Sequence, residues 1–348
     1  MEKFFLGMLV FVPLAIAAHF LNVPHVVVFI LAALAIIPLA KYIGEATDEL
    51  ATYTGPALGG LLSATFGNAT ELIIAIFAIK AGLLEVVKAS LTGSIIGNLL
   101  LVLGAAMLAG GIKHKKQIFN RTSVLASAST LLLAVIALVM PAILVQTVSG
   151  INENVVEHLS LAVAGLMIIS YIAVLFFNLR THKHLYEAEV GKIETNWSKG
   201  KSITILVVAT ALVAWMSEIL VGTIEPVVLQ FGWTELFVGV VFVAIIGNAA
   251  EHTSAITMAM KNKMDLALQI SIGSATQIAL FVAPVLVIIS LFLGRPMSLV
   301  FNTFELVAII FSILIANLVV QDGESNWLEG LQLLAAYAII GAAFFFHP

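Results

Sequence analysis

Gly67-Asn68-Ala69-Thr70-Glu71 places a carboxylate inside a hydrophobic run, and Gly247-Asn248-Ala249-Ala250-Glu251 does the same 180 residues later. A chain that carries the same buried acid in two matched contexts reads as one structural unit written twice. The stretches on either side of the motifs tell what that unit is.

Hydrophobic residues make up 61% of the 348 residues and charged residues only 10%, with a mean hydropathy of +1.11. A water-soluble core of this size has nowhere to hide so much apolar surface, which makes this a polytopic membrane protein. A crossing helix needs about 20 apolar residues. The windows that qualify are 4–21, 26–44, 57–80, 84–110, 122–140, 155–178, 202–221, 236–260, 265–293, 302–320 and 327–346, eleven in all. Backbone groups in lipid must be bonded within the segment, and these runs are too long for barrel strands, so the expected class is all-α with eleven transmembrane helices. The absence of cysteine excludes disulfides, thiol nucleophiles and thiolate metal sites.

Thirteen of the sixteen lysines and arginines fall on the N-terminus and on every second connection: Lys3, Lys41, Lys113, Lys115, Lys116, Arg121, Arg180, Lys183, Lys192, Lys199, Lys201, Lys261 and Lys263. Lys80, Lys88 and Arg295 hold the other side. The bias sets the N-terminus in the cytoplasm and, after eleven crossings, the C-terminus outside, in what is expected to be the plasma membrane. The first window has a leader-like beginning but is long enough to span, and it is read as a membrane helix.

Residues 1–24 have no partner later in the chain and read as a peripheral first helix. Residues 25–178 and 202–348 form two blocks of five windows. Five is odd, so the second block crosses in the opposite sense: an inverted repeat. With the same 180-residue shift Gly59 falls on Gly239, Gly93-Ser94 on Gly273-Ser274, and Glu45 on Glu225. Residues 179–201, with His182, His184, Glu187, Glu189, Glu194 and five basic residues, read as a cytoplasmic linker. Lys113 to Lys116 and Lys261 to Lys263 are expected to anchor helix ends near anionic lipid.

Asn68 and Glu71, like Asn248 and Glu251, are three apart and share a helical face. Gly67 and Gly247 weaken the helices there, and a break would turn carbonyl oxygens inward. Ser94 and Asn98 in one block, Ser274 and Gln277 in the other, add oxygens from the following helix. Carboxylate, amide and carbonyl oxygens make a hard environment suited to calcium or another divalent cation. Inversion brings Glu71 and Glu251 to a pseudo-two-fold axis near the bilayer centre, where two bare carboxylates cannot both stay charged without compensation. Two protons or one divalent cation would each neutralise the pair, and that mutual exclusion is the basis of a cation/proton exchanger. Glu45, Glu225, Glu218 and His252 are candidates for gating, Glu45 and Glu225 equally for solvated helix caps, while Glu305 and Glu329 read as gating or packing groups.

These motifs, Gly67 to Ile73, Gly93-Ser94, Gly247 to His252, and Gly273-Ser274 with Gln277, resemble the paired repeats of the calcium/proton exchangers within the calcium/cation antiporter superfamily. The resemblance implies calcium as transported substrate held between Glu71 and Glu251, with Asn68, Asn248 and main-chain carbonyls assisting. It also implies windows two and seven sliding against a core to open the site alternately to each side. Calcium, protons and membrane lipid are the expected partners, with no cofactor and no nucleic acid. The linker is less acidic than in many relatives, which argues against cytosolic calcium regulation. A sodium/calcium exchanger would carry further polar and acidic groups around the core, which are sparse here. A cation channel would not tie flux to protons. An intramembrane hydrolase using Glu251 with His252 is disfavoured, because adjacent helical residues diverge and neither an HExxH spacing nor a serine elbow is present. The chain therefore reads as a transporter and not an enzyme.

Overall fold

The computed structural model describes residues 2–182 and 196–347, and most of the linker expectation, His184, Glu187, Glu189 and Glu194 included, lies outside the described residues. The architecture is almost entirely helical. Eight described helices are long and apolar enough to cross a membrane, nine when one bent pair is taken as a single span. The apolar helix Thr303–Val319, on the tenth expected window, has 17 residues.

The chain opens with α1 (Glu2–Met8) and α2 (Phe11–Phe20), which together cover the first window, and α2 packs on α3 (His25–Phe66). Helix α3 has 42 residues and runs without interruption through residues 45–56, where a loop between windows two and three was expected. It nevertheless reverses. Residues eight apart on a straight helix are separated by about 12 Å, yet a Cβ added at Gly59 would lie 2.7 Å from the carbonyl oxygen of Ala51. The chain doubles back between these two residues. Polar residues before the bend do not end the helix, because Thr47, Thr52 and Thr54 return their hydroxyls to the carbonyls of Ile43, Glu49 and Leu50. In the second half the matching reversal is a true interruption. There α9 (Lys199–Phe231) ends on Gly232 at φ 65°, a conformation that favours glycine.

The motif helices follow. α4 (Ala69–Ala81) starts directly after α3, and α12 (Ala249–Met260) starts after α10 (Glu235–Phe237), a π-helical turn at Val238–Val243 and α11 (Ala244–Gly247). The axis bends by 60° at Asn248. α5 (Leu84–Ile96) passes through a second π-turn, Gly97–Val102, into α6 (Leu103–His114), and α13 (Met264–Gln277) passes through a third, Ile278–Val282, into α14 (Ala283–Phe292). Around this centre lie α7 (Arg121–Thr147), α8 (Glu153–Phe176), α15 (Thr303–Val319) and α16 (Trp327–Phe346). α3 packs along α9, α4 on α9, and both α12 and α16 on α6.

The lysine-bearing side is closed over α12 by protein contacts. A short antiparallel pair, β1 (Gln117–Ile118) with β2 (Glu324–Ser325), joins two connections, and Lys116 Nζ lies 2.5 Å from Glu324. Lys113 Nζ and His114 Nε2 each lie 3.0 Å from the carbonyl of Met260, and Gln117 Nε2 donates to Ala259 O at 2.8 Å. Lys113, His114 and Lys116 thus have protein partners where lipid anchoring was expected, because the last carbonyls of α12 need donors and favour cations. Gln117 fits only against Gly110, where a Cβ would lie 2.0 Å from its Oε1. Gln117→Ala is expected to cost on the order of 1–2 kcal/mol by uncapping buried carbonyls. Lys116→Ala, at a half-exposed ion pair, should cost less than about 1 kcal/mol. Thermal midpoints in detergent check both.

Candidate functional site

The two motif segments distort at the same residue. Gly67 keeps helical dihedrals (φ −57°, ψ −41°), whereas Asn68 sits at φ −105°, ψ 24° and Asn248 at φ −92°, ψ 15°. The breaks therefore fall on the asparagines and not on the preceding glycines. Gly247 serves as space: a Cβ there would stand 3.0 Å from Glu71 Cγ and 3.5 Å from its Oε1. Gly67 lies against Ser63 O of its own helix, with Gln277 Oε1 3.9 Å from where its Cβ would be.

Glu71 and Glu251 each stand in the first turn of a helix that begins inside the protein. Exposed N–H groups give such a helix start a positive end, which favours a carboxylate by about 0.3–1 kcal/mol and by up to ~2 kcal/mol in partly buried geometry. The ends of α3 and α11 that face the breaks carry the complementary carbonyl oxygens. Each motif thus offers a positive helix start to the acid and a negative helix end beside it.

Between the motifs runs a continuous chain of neutral side chains. Asn68 Nδ2 donates to Gln277 Oε1 at 2.5 Å, and Ser274 Oγ lies 3.5 Å from Asn68 Oδ1. Asn98 Nδ2 donates to Ser274 Oγ at 3.1 Å and to Asn248 Oδ1 at 2.8 Å. Asn248 Nδ2 donates to Ser94 Oγ at 2.7 Å and to Ala244 O at 2.8 Å. Asn68, Ser94, Asn98, Asn248 and Ser274 are all buried. The structure therefore brings together every amide and hydroxyl picked out from the motifs, and it links them across the two halves.

The carboxylates stand outside that chain. Both oxygens of Glu71, Glu251 Oε2 and Asn98 Oδ1 are buried and accept no hydrogen bond. Glu71 lies against Gly247, which stands one turn before Glu251. Among the described residues no lysine, arginine or histidine forms an ion pair with either. Buried acceptors without donors are uncommon and costly, at roughly 1–3 kcal/mol each and more when charged.

The other candidates lie elsewhere. Glu45 pairs with Lys41 one turn back on α3, and Glu225 is exposed. Glu218 lines a separate cavity of about 140 Å3 with His19, Asn22, His25 and Thr223. His252 is half-buried beside Glu251. Glu305 and Glu329 complete capping boxes with Asn302 and Asn326, and Glu305 also accepts from Thr92 at 3.0 Å, so both are packing groups. Sequence reasoning missed Ser90 and Val243, which share a small cavity with Glu71 and Ser94. It also missed the π-turns, which no shared residue pattern marks, since Gly97–Val102 and Val238–Val243 each contain a glycine and Ile278–Val282 contains none.

Access to the centre is unequal. On the lysine-bearing side a cavity of about 390 Å3 runs between α7, α8 and α13 and reaches Gly273, Thr276 and Gln277. Beyond Glu71, towards the other side, α5 packs on the π-turn of Val238–Val243, with a Cβ at Gly93 only 2.1 Å from Val240 O.

The family model described as "Sodium/calcium exchanger protein" matches residues 24–180 and 201–346. The chain belongs to this exchanger family. The exchanger is 51% identical to a Ca2+/H+ antiporter of Aphanothece halophytica, over 99% of this chain and 96% of that protein. It is 50% identical to a Ca2+/H+ antiporter of Synechocystis, over 100% of this chain and 98% of the relative. Its fold is similar to the solved structure of native YfkE, with a TM-score of 0.88, 43% identity, and 99% and 100% of the two chains covered.

In the exchanger, Asn248→Ala removes two donated bonds and the acceptor of Asn98. The expected cost is on the order of 2–3 kcal/mol, read as a lowered thermal midpoint in detergent, while Glu225→Gln should stay within about 0.5 kcal/mol of the parent.

Proposed function

We propose that this chain is a secondary antiporter that exchanges calcium for protons by alternating access, with both species competing for Glu71 and Glu251. One observation carries the reading. Both carboxylate oxygens of Glu71, Oε2 of Glu251 and Oδ1 of Asn98 are buried with no protein donor, Glu71 lies against Gly247 of the other motif, and the neutral amides of the two motifs are bonded to one another. Hard oxygens of this kind are satisfied either by a divalent cation or by protons on the acids. Charge balance then sets two protons against one calcium. The names of the similar antiporters support the same assignment.

The eleven-helix reading, with a peripheral helix at 1–24 and inverted repeats at 25–178 and 202–348 around a linker at 179–201, gives the site its geometry. Its support is the pair of asparagine breaks at matched positions and the pair of π-turns, Gly97–Val102 and Ile278–Val282, that follow the two Gly-Ser motifs. The lysine bias places the N-terminus in the cytoplasm and the C-terminus outside, and the plasma membrane is the expected location. With the larger cavity on the lysine-bearing side, calcium enters from the cytoplasm and leaves outward when the outside is acidic.

Asn68, Asn248, Ser94, Asn98, Ser274 and Gln277 position or assist the ion, and Glu71 and Glu251 hold it. Calcium neutralises the acids and supplies what their oxygens lack. Protonation does the same without the ion, so each ligand displaces the other.

Reconstituted vesicles with an imposed pH gradient and no sodium test this directly. Calcium uptake should follow the proton gradient and disappear in both Glu71→Gln and Glu251→Gln. Uptake that requires sodium, or that survives both changes, would overturn the assignment. A second measurement separates folding from binding. Calcium at about 100 times its dissociation constant should stabilise the parent by roughly 2.7 kcal/mol. Glu71→Gln should keep the parent's calcium-free midpoint or exceed it, and calcium should no longer raise it.

A further inference from the structure

The two halves of the chain match in sequence but not in packing, and the difference falls on glycines. At one contact between the halves, Gly93 of α5 and Gly239 of the π-turn Val238–Val243 pack closely against the other's helix. A Cβ on Gly93 would lie 2.1 Å from Val240 O, and one on Gly239 would lie 2.5 Å from Ala89 Cβ and 2.9 Å from Val86 O. No flexible side chain could yield at Gly93, where the nearest atoms are all backbone.

Shifted by 180 residues, Gly93 becomes Gly273, Gly239 becomes Gly59, and Val240 becomes Gly60. The equivalent contact is not made. Gly273 has nothing within 4 Å of a Cβ position, and it lines the cavity that leads to Gln277. Gly60 meets the end of the Leu179 side chain, and the atoms nearest Gly59 belong to Ala51 of its own helix. In an inverted repeat, each half adopts in one access state the packing that its mate adopts in the other.

We infer that Gly273 and Gly60 form the seam that closes the lysine-bearing side in the opposite access state, with the end of α3 seated on α13 as the π-turn Val238–Val243 now sits on α5. The inference rests on the exchanger reading and its inverted repeat. In that state the cavity beside Thr276 and Gln277 collapses, Leu179 leaves Gly60, and the contact between Gly93 and Val240 opens. Gly273 is then a positioning residue: it touches no ion, and it permits the half-cycle in which the ion faces the other side.

A static view and the seam predict opposite results for one substitution. With open space around it, and alanine the better helix former, Gly273→Ala would be silent if Gly273 had no further role. The seam instead requires Gly273→Ala to fold as the parent does, keep its calcium-induced thermal shift, and lose calcium/proton exchange. Gly165→Ala and Gly341→Ala, equally unpacked, should keep exchange.

The absence of cysteine supplies a second readout. Ser127→Cys puts one thiol on the cavity wall. A membrane-impermeant maleimide on the lysine-bearing side should label it in part in the parent and fully when Gly273→Ala is added. Exchange at parental rate in Gly273→Ala, or labelling unchanged by it, overturns the seam. So does loss of the calcium-induced shift, which would make Gly273 part of the binding site. If the parent itself shows no proton-driven uptake, the exchanger reading fails instead, and the labelling comparison still decides the seam.

Discussion

Everything in this protein depends on placing two acids with buried carboxylate oxygens inside a bundle of apolar helices. A carboxylate at the centre of a membrane protein is tolerated when local dipoles and an exchangeable counter-charge share its burden. Here the dipoles come from the chain itself, through helices α4 and α12 that begin in mid-protein at Asn68 and Asn248. On the proposed exchange, the counter-charge is left to the cargo. Glu71 and Glu251 are consequently a place where the fold is incomplete on its own terms, with carboxylate acceptors that no protein donor reaches.

The surrounding helices are arranged to keep that incompleteness local. Glu305 is buried, but it is satisfied by the N–H of Asn302 and the hydroxyl of Thr92. The carbonyls at the end of α12 are bonded by Gln117, Lys113 and His114. Asn120 N is held by Asp265 Oδ1 at 2.6 Å, and Glu49 accepts from Asn196 and Trp197 where the chain re-enters at α9. These polar groups away from the centre are thus turned to structure, whereas the carboxylates at the centre are the ones proposed to hold the ion. The distinction is visible only in their partners, since the residue types are the same.

That explains what could be read from the sequence. Asn68, Glu71, Asn248 and Glu251 stand out because polar residues in apolar runs are rare, and a repeat of them is rarer. Ser94, Asn98, Ser274 and Gln277 follow from helical spacing. Which amide meets which does not follow, because Asn68 bonds to Gln277 of the other half and Asn98 to Asn248, pairings fixed by three-dimensional packing. The reversal inside α3 was hidden for a related reason: hydropathy marks where a helix leaves lipid, whereas threonine hydroxyls bonded back to the helix let it continue past that point. Lys41 and Glu45 look like separate surface charges until their i, i+4 spacing pairs them. The unequal packing of Gly93 and Gly273 was beyond reach altogether, since matched sequences contain no record of which half is closed.

The amide chain from Gln277 to Ser94 contains no group that gains or loses a proton near neutral pH. The frame therefore keeps its dimensions whether the acids beside it are loaded with calcium or with hydrogen ions. A carboxylate frame would swell and contract with each turnover, and the cavity would lose its size preference at the moment it released its ion. If the proposed exchange runs through this site, walls built from carboxamides separate measuring the ion from holding its charge, so that selectivity and release are set by different residues.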